Sequence, residues 1–149
     1  MIRIQTEDFD PGVELALLGP GRTDIGGVAS FVGLVRGGGD GVGAMTLEHY
    51  PGMTERQLDS IADEARRRWA VLDLRIVHRF GRLLPGERIV FVAVAASHRQ
   101  DAFAACEFLV DWLKTKAPFW KLEDRGGSSE WVAARAEDDV RAARWEQKR

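Results

Sequence analysis

A single cysteine, Cys106, stands in the 149 residues, so no disulfide can close within the chain and the composition suits a reducing compartment. No apolar run approaches the roughly 20 residues needed to cross a bilayer. The opening Met1-Ile2-Arg3-Ile4-Gln5 lacks the apolar stretch of a secretory leader. The expected setting is the cytoplasm, with no membrane partner. Neither sign of charge is in excess: 21 basic against 23 acidic residues leave a net −2. That removes the global field that draws proteins to nucleic acid or anionic membranes, and no basic stripe interleaves with stacking aromatics. His49, His78 and His98 are far apart and share no metal-ligand spacing with Cys106. Neither a metal site nor a resident cofactor is expected. Any cationic site must be local.

What is present is enough apolar residue, 45%, for one core. Residues 1–149 read as a single domain without repeats or linkers, and 136–149 form a charged tail. Ile2 and Ile4 alternate with polar neighbours as a short strand, and Val13 to Leu18 suggests a short helix or turn. Gly27 to Arg36 is apolar on both faces and is expected to be a central strand. Gly37 to Gly43 holds five glycines in seven residues. It lacks the spacing of a phosphate-cradling loop, so a hairpin connection is expected. Ala44 to Tyr50 returns as a strand. Thr54 and Gln57 stand at capping-box spacing before a helix with Leu58, Ile61, Ala62, Ala65 and Trp69 on one stripe. Its Arg66-Arg67-Arg68 run, set among Glu55, Asp59, Asp63 and Glu64, reads as a solvated mixed-charge face. Leu72, Leu74, Ile76 and His78 alternate as a strand that should pair, across Leu84-Pro85-Gly86-Glu87, with the run Ile89 to Ala96. Trp131-Val132 suggests a last short strand, and 137–149 a marginal helix. The order implies an α+β fold with a mostly antiparallel sheet.

The stretch from Ser97 to Lys121, opened by the strand run Ile89 to Ala96, organises the rest. Ser97 precedes Gln100 by three residues, a second capping box. It would place His98 and Arg99 in the first helical turn, where free N–H groups and the dipole favour an anion. Ala102, Phe103, Cys106, Leu109, Val110 and Leu113 face inward by spacing, and Pro118 should stop the helix near Lys116. One strand–helix–turn unit thus displays His98, Arg99, Lys114, Lys116 and Lys121, a place for a phosphorylated or carboxylated ligand. If Lys114 and Lys121 converge with Arg36 and Arg99, mutual repulsion should lower a lysine pKa and let it act as acid, base or nucleophile. The same lysines could equally be solvated. Cys106, on the apolar stripe, reads as a buried small hydrophobe. His78 could serve as a base or be a hydrogen-bonded core residue.

Together these residues resemble the family of large, catalytic subunits of molybdopterin synthase. The matching segments are Phe31-Val32-Gly33-Leu34-Val35-Arg36, Leu47-Glu48-His49-Tyr50-Pro51-Gly52-Met53, His78-Arg79-Phe80-Gly81, Pro85-Gly86-Glu87, Ser97 to Phe103 and Asp111 to Glu123. The histidine–arginine pair followed by L-K-x-x-x-P-x-W-K is the most specific. The resemblance implies an α/β-hammerhead, a mostly antiparallel sheet packed with helices plus a small β subdomain. It implies a homodimer within a heterotetramer, each end binding a small ubiquitin-like sulfur-carrier subunit whose Gly-Gly thiocarboxylate enters the pocket. Two sulfurs would pass to cyclic pyranopterin monophosphate, giving the molybdopterin dithiolene. By position Lys114 is the foremost catalytic candidate and Lys121 the second. Arg36, His98 and Arg99 would hold phosphate and pterin, with Leu34, Val35, Leu122 and Glu123 lining the pocket. Arg135 would reach the neighbouring subunit's site. Leu122 stands where family members often carry a basic residue. The rival reading is a non-catalytic phosphometabolite-binding or scaffold subunit of the same complex.

Overall fold

Ile89 to Ala96, apolar without interruption, forms the middle of a sheet because only a central strand buries both faces. The computed structural model describes residues 1–37, 42–125, 128–132 and 136–146, with side chains except at 42, 123–132, 136 and 137. Strands β1 (Ile2–Gln5), β2 (Gly27–Leu34), β4 (Val71–Arg79) and β6 (Arg88–Ala96) make one sheet in the order β1-β4-β6-β2. Antiparallel β4 and β2 flank β6, and β1 joins β4 in parallel with Ile2 opposite Ile76. Strands β3 (Val42–His49), β5 (Gly81–Leu83), β7 (Phe119–Arg125) and β8 (Ser128–Val132) make a second sheet, β5-β3-β7-β8, antiparallel throughout. With its helices this is the expected α+β architecture.

Two expectations fail here. β2 lies at an edge, not the centre: β6 already has β4 on its other side, and Val28 and Leu34 are exposed. β2 and β3, on either side of the glycine-rich segment, do not pair as the expected hairpin, because they belong to different sheets. Its positions 38–41 lie outside the described residues.

Helix α1 (Pro11–Ala16) opens where the Asp10 carboxylate accepts the Gly12 and Val13 N–H groups. Its Glu14 is buried and bonded to Arg3 and to Arg75 of β4. Helix α2 (Met53–Arg68) buries Leu58, Ala62 and Ala65. Its cap is Gly52, not Thr54: the backbone there has φ +84°, open only to glycine at low cost, and Glu55 accepts the Gly52 N–H. The far face carries Arg66–Asp63, Arg67–Glu64 and Arg68–Glu64 pairs, as its composition implied.

Helix α3 (Arg99–Thr115) starts one residue later than Ser97 suggested, with His98 as N-cap and no side-chain capping bond. Ser97 stays against the end of β2, so close that a Cβ on Gly26 would stand 1.9 Å from its carbonyl oxygen. Ala102, Ala105, Cys106 and Leu109 form the buried stripe, while Phe103, about 100° past Ala102, is 65% exposed instead of inward. Helix α4 (Ala136–Ala143) packs on α3. The main core lies between the first sheet and α2–α3, and a smaller one on the other face joins Phe9, Leu18, Val77 and Phe91.

Candidate active site

α3 ends because Pro118 forbids another turn; the Lys116 and Ala117 N–H groups both close on the Trp112 carbonyl. Lys114 therefore sits in the last helical turn, and the chain reverses through Ala117-Pro118 into β7. That reversal brings Lys121 back beside Lys114: both line one cavity of about 210 Å³. Its walls are largely apolar, with Met45 and Leu47 from β3, Val90 from β6, and Val110 and Leu113 from α3. Two ammonium groups at a small apolar-walled space attract an anion more strongly than they would in open water.

The same cavity is walled by His78, which sequence reasoning left between core and base. The ring is buried and stacks on Phe119, centroids 3.9 Å apart and planes 13° from parallel. Its Nδ1 lies 2.8 Å from the Arg79 carbonyl. A carbonyl only accepts, so Nδ1 carries the hydrogen and Nε2 the lone pair. Burial, then the positive charge of Lys114, then His49, push its pKa down to about 4. His49 is fixed in the same tautomer. Thr54 gives its hydroxyl hydrogen to the Tyr50 carbonyl at 2.8 Å, so His49 Nδ1, 3.0 Å away, donates to Thr54 Oγ1. The His49 ring meets Phe80 edge-on at 4.5 Å and lies 5.9 Å from Phe119. The signal for both histidines lay in the His49-Tyr50-Pro51 and His78-Arg79-Phe80 segments and their inward alternation along β3 and β4.

Among the described residues, the other predicted ones do not share this cavity. His98 and Arg99 are exposed and line an open groove with Gly26, Ser97 and Gln100. Arg99 and Lys114 stand at opposite ends of α3, about 22 Å apart along its axis. Within one protomer the convergence of Arg99 with the lysines is therefore not met. Leu34, Val35 and Arg36 leave β2 beside the β5–β6 turn, where Val35 N–H donates to the Glu87 carbonyl and Gly86 N–H to that of Val35. Val35 is buried; Leu34 and Arg36 are exposed. Leu122 follows Lys121 on β7, half-buried and opposite Thr46. The Glu123 side chain and Arg135 lie outside the described residues. Cys106 is buried, its Sγ 3.9 Å from the Val92 carbonyl, and burial pushes its thiol up to about 12.

A larger groove, about 730 Å³, runs between α2, α3 and the end of α4. Its cations are committed: Arg67 and Arg68 pair with Glu64, and Lys116 with Glu146. It offers an anion little.

The model of the MoaE protein family matches residues 4–116. The chain belongs to the MoaE family. The molybdopterin synthase catalytic subunit of Pseudomonas aeruginosa is 55% identical over 148 residues, 98% of this chain and 99% of that one. Among solved structures, the MoaE molybdopterin biosynthesis protein of Burkholderia ambifaria superposes with a TM-score of 0.84 at 57% identity, covering 98% of this chain and 97% of its own. Molybdopterin synthase from Staphylococcus aureus gives 0.79 at 31% identity, over 87% of this chain and 95% of its own. The segment Leu113 to Lys121 supplies both lysines of the cavity.

Proposed function

We propose that this chain is the catalytic subunit of a molybdopterin synthase, a cytoplasmic sulfurtransferase. The observation that carries the reading is the pairing of Lys114 and Lys121 in one small apolar-walled cavity, with no reactive thiol beside them. Cys106, buried and held as a thiol, is unsuited to carry sulfur, so the sulfur arrives on a partner. That partner is a small ubiquitin-like carrier whose C-terminal Gly-Gly thiocarboxylate, an anion, enters the cavity. In each transfer the thiocarboxylate sulfur bonds to a carbon of cyclic pyranopterin monophosphate, and water then cleaves the acyl carbon–sulfur bond and leaves the tail as a carboxylate; two transfers give the dithiolene. Lys114 and Lys121 hold the tail and the charge that develops on its carbonyl, and Lys114 handles the proton.

The substrate's phosphate needs further cations, and His98 with Arg99 present them at the far end of α3. The separation within one protomer supports a site built from two copies: one supplies Lys114, Lys121 and the Leu34-Val35-Arg36 run, with Leu122 and Glu123 at its margin. The second supplies His98, Arg99 and Arg135. The assembly is then a homodimer carrying two small subunits. A scaffold that only bound the phosphometabolite would have no use for paired lysines away from the His98–Arg99 groove. The test is an assay with purified, thiocarboxylated carrier and cyclic pyranopterin monophosphate. Dithiolene product is expected from this chain; none from a folded chain with loaded carrier would sink the reading.

A further inference from the structure

The two histidine segments have no part in the reading above, although His78 walls the lysine cavity. Three observations meet at His78. Its Nδ1–H is spent on the Arg79 carbonyl at 2.8 Å, its face lies flat on Phe119, and its buried ring lines the cavity together with Lys114 and Lys121. Its tautomer is therefore set by a backbone carbonyl, and its orientation by Phe119, itself a wall of the cavity. We infer that His78 is a positioning residue for Lys114, its unprotonated Nε2 acting as a fixed hydrogen-bond acceptor for the lysine's ammonium group.

The chemistry favours a neutral imidazole in that place. A carboxylate would hold the ammonium as a permanent ion pair and cancel the charge that draws the anionic tail. A neutral acceptor orients the ammonium without adding a counter-charge of its own. His78 stays neutral because burial, and after it the positive charge of Lys114, hold it well below the usual histidine range. The groups facing it are Lys114 from α3, Lys121 from β7 and His49 from β3. Its cross-strand neighbours, Ile4 of β1 and Val90 of β6, are apolar. His49, with the same tautomer, stands behind Phe119 and keeps the stacking ring in place.

The inference rests on the sulfur-transfer reading only in giving Lys114 its task, and its test reads the lysine itself. Lys114 is solvent-accessible, so its acetylation by acetic anhydride can be followed against pH by mass spectrometry in the full chain. His78→Phe keeps the ring on Phe119 and removes the acceptor. The acylation midpoint of Lys114 should then fall by about one pH unit, the worth of one hydrogen bond to a charged group. His78→Gln, whose amide oxygen can replace Nε2, should restore at least half of that shift. An unchanged midpoint in folded His78→Phe overturns the inference. Should that variant not fold, nitrogen-15 spectra of the histidines in the wild type decide. Nε2 of His78 should be unprotonated from about pH 5 to about pH 8 and should move on Lys114→Met. A protonated Nε2, or no displacement, overturns it. Absence of sulfur transfer by the wild type would sink the functional reading and leave both of these measurements valid.

Discussion

The indole N–H of Trp145 donates to the carboxylate of Asp111 at 2.7 Å, one helical turn before Lys114. Arg144 bonds the same carboxylate at 3.0 Å, and the indole stands edge-on to Trp69 and Phe108. The charged end of the chain is thereby fastened to the helix that carries the lysine. Trp145→Ala removes a buried aromatic ring and leaves Asp111 short of a partner, so unfolding free energy should drop by about 3–5 kcal/mol. A loss below about 1 kcal/mol in urea titration would mean the α4 contact contributes little to the fold.

Lys114→Ala should abolish dithiolene formation while the small subunit still binds, because a cavity of about 210 Å³ has room for no more than its tail. Lys114→Arg should rescue little, since guanidinium stays protonated at any working pH. Near-normal turnover of Lys114→Arg would reduce the lysine to a fixed positive charge and shift proton transfer to Lys121.

Arg99→Ala should weaken substrate binding by roughly tenfold to a hundredfold, the worth of a charge-assisted phosphate bond, with carrier affinity little changed. The two-copy site makes a sharper forecast. Lys114→Ala and Arg99→Ala proteins, each nearly inactive, should regain activity when unfolded together and refolded as mixed dimers. Half the dimers would be mixed and each would hold one intact site, so about a quarter of wild-type turnover is expected. No recovery, with mixed dimers confirmed by mass spectrometry, would place Arg99 and Lys114 in separate functions.

Cys106→Ala should keep turnover near wild type and cost only about 1 kcal/mol of packing. Lost turnover in a folded variant would bring a cysteine persulfide back as the sulfur carrier.

His78 predicts how stability responds to acid. Unfolded, it takes a proton near its ordinary value of 6.5; folded, it refuses one until about pH 4. Between those limits the unfolded chain binds more protons, so stability falls as pH drops from about 6.5 to about 4, by up to about 3 kcal/mol. Asp8, held at about 2 by its bond to Arg88, adds acid sensitivity only further down. In His78→Phe the decline above about pH 4 should flatten. An equally steep decline in that variant would assign it to other groups.

Much of the fold was legible because its signals were local. The alternation of Leu74, Ile76 and His78, the unbroken apolar run of β6, and Pro118 at the end of α3 each act through their immediate neighbours. Strand order was not legible: nothing within Gly27 to Leu34 says that β6 has a second partner, so its double-sided apolarity passed for a central position. Ser97 and Thr54 carry capping chemistry, yet the caps fell on His98 and Gly52, where the β2 contact at Gly26 and a positive φ decided the backbone. Lys114 and Lys121 were found in sequence because a single proline turn joins them. The isolation of His98 and Arg99 needed the length of α3, and the place of His78 needed Phe119 to be folded back over it.

The parallel pairing of β1 with β4 has a consequence for how the protein is made. Ile2 is synthesised well before its partner Ile76, and the sheet has no centre until β6 has been synthesised through Ala96. At about 5–20 residues per second, the first strand and α1, whose Val13 and Leu15 stay exposed even in the finished fold, wait several seconds without a sheet to join. That interval makes the N-terminal segment the part of the nascent chain most in need of a chaperone, and codon choice between β1 and β6 a determinant of yield.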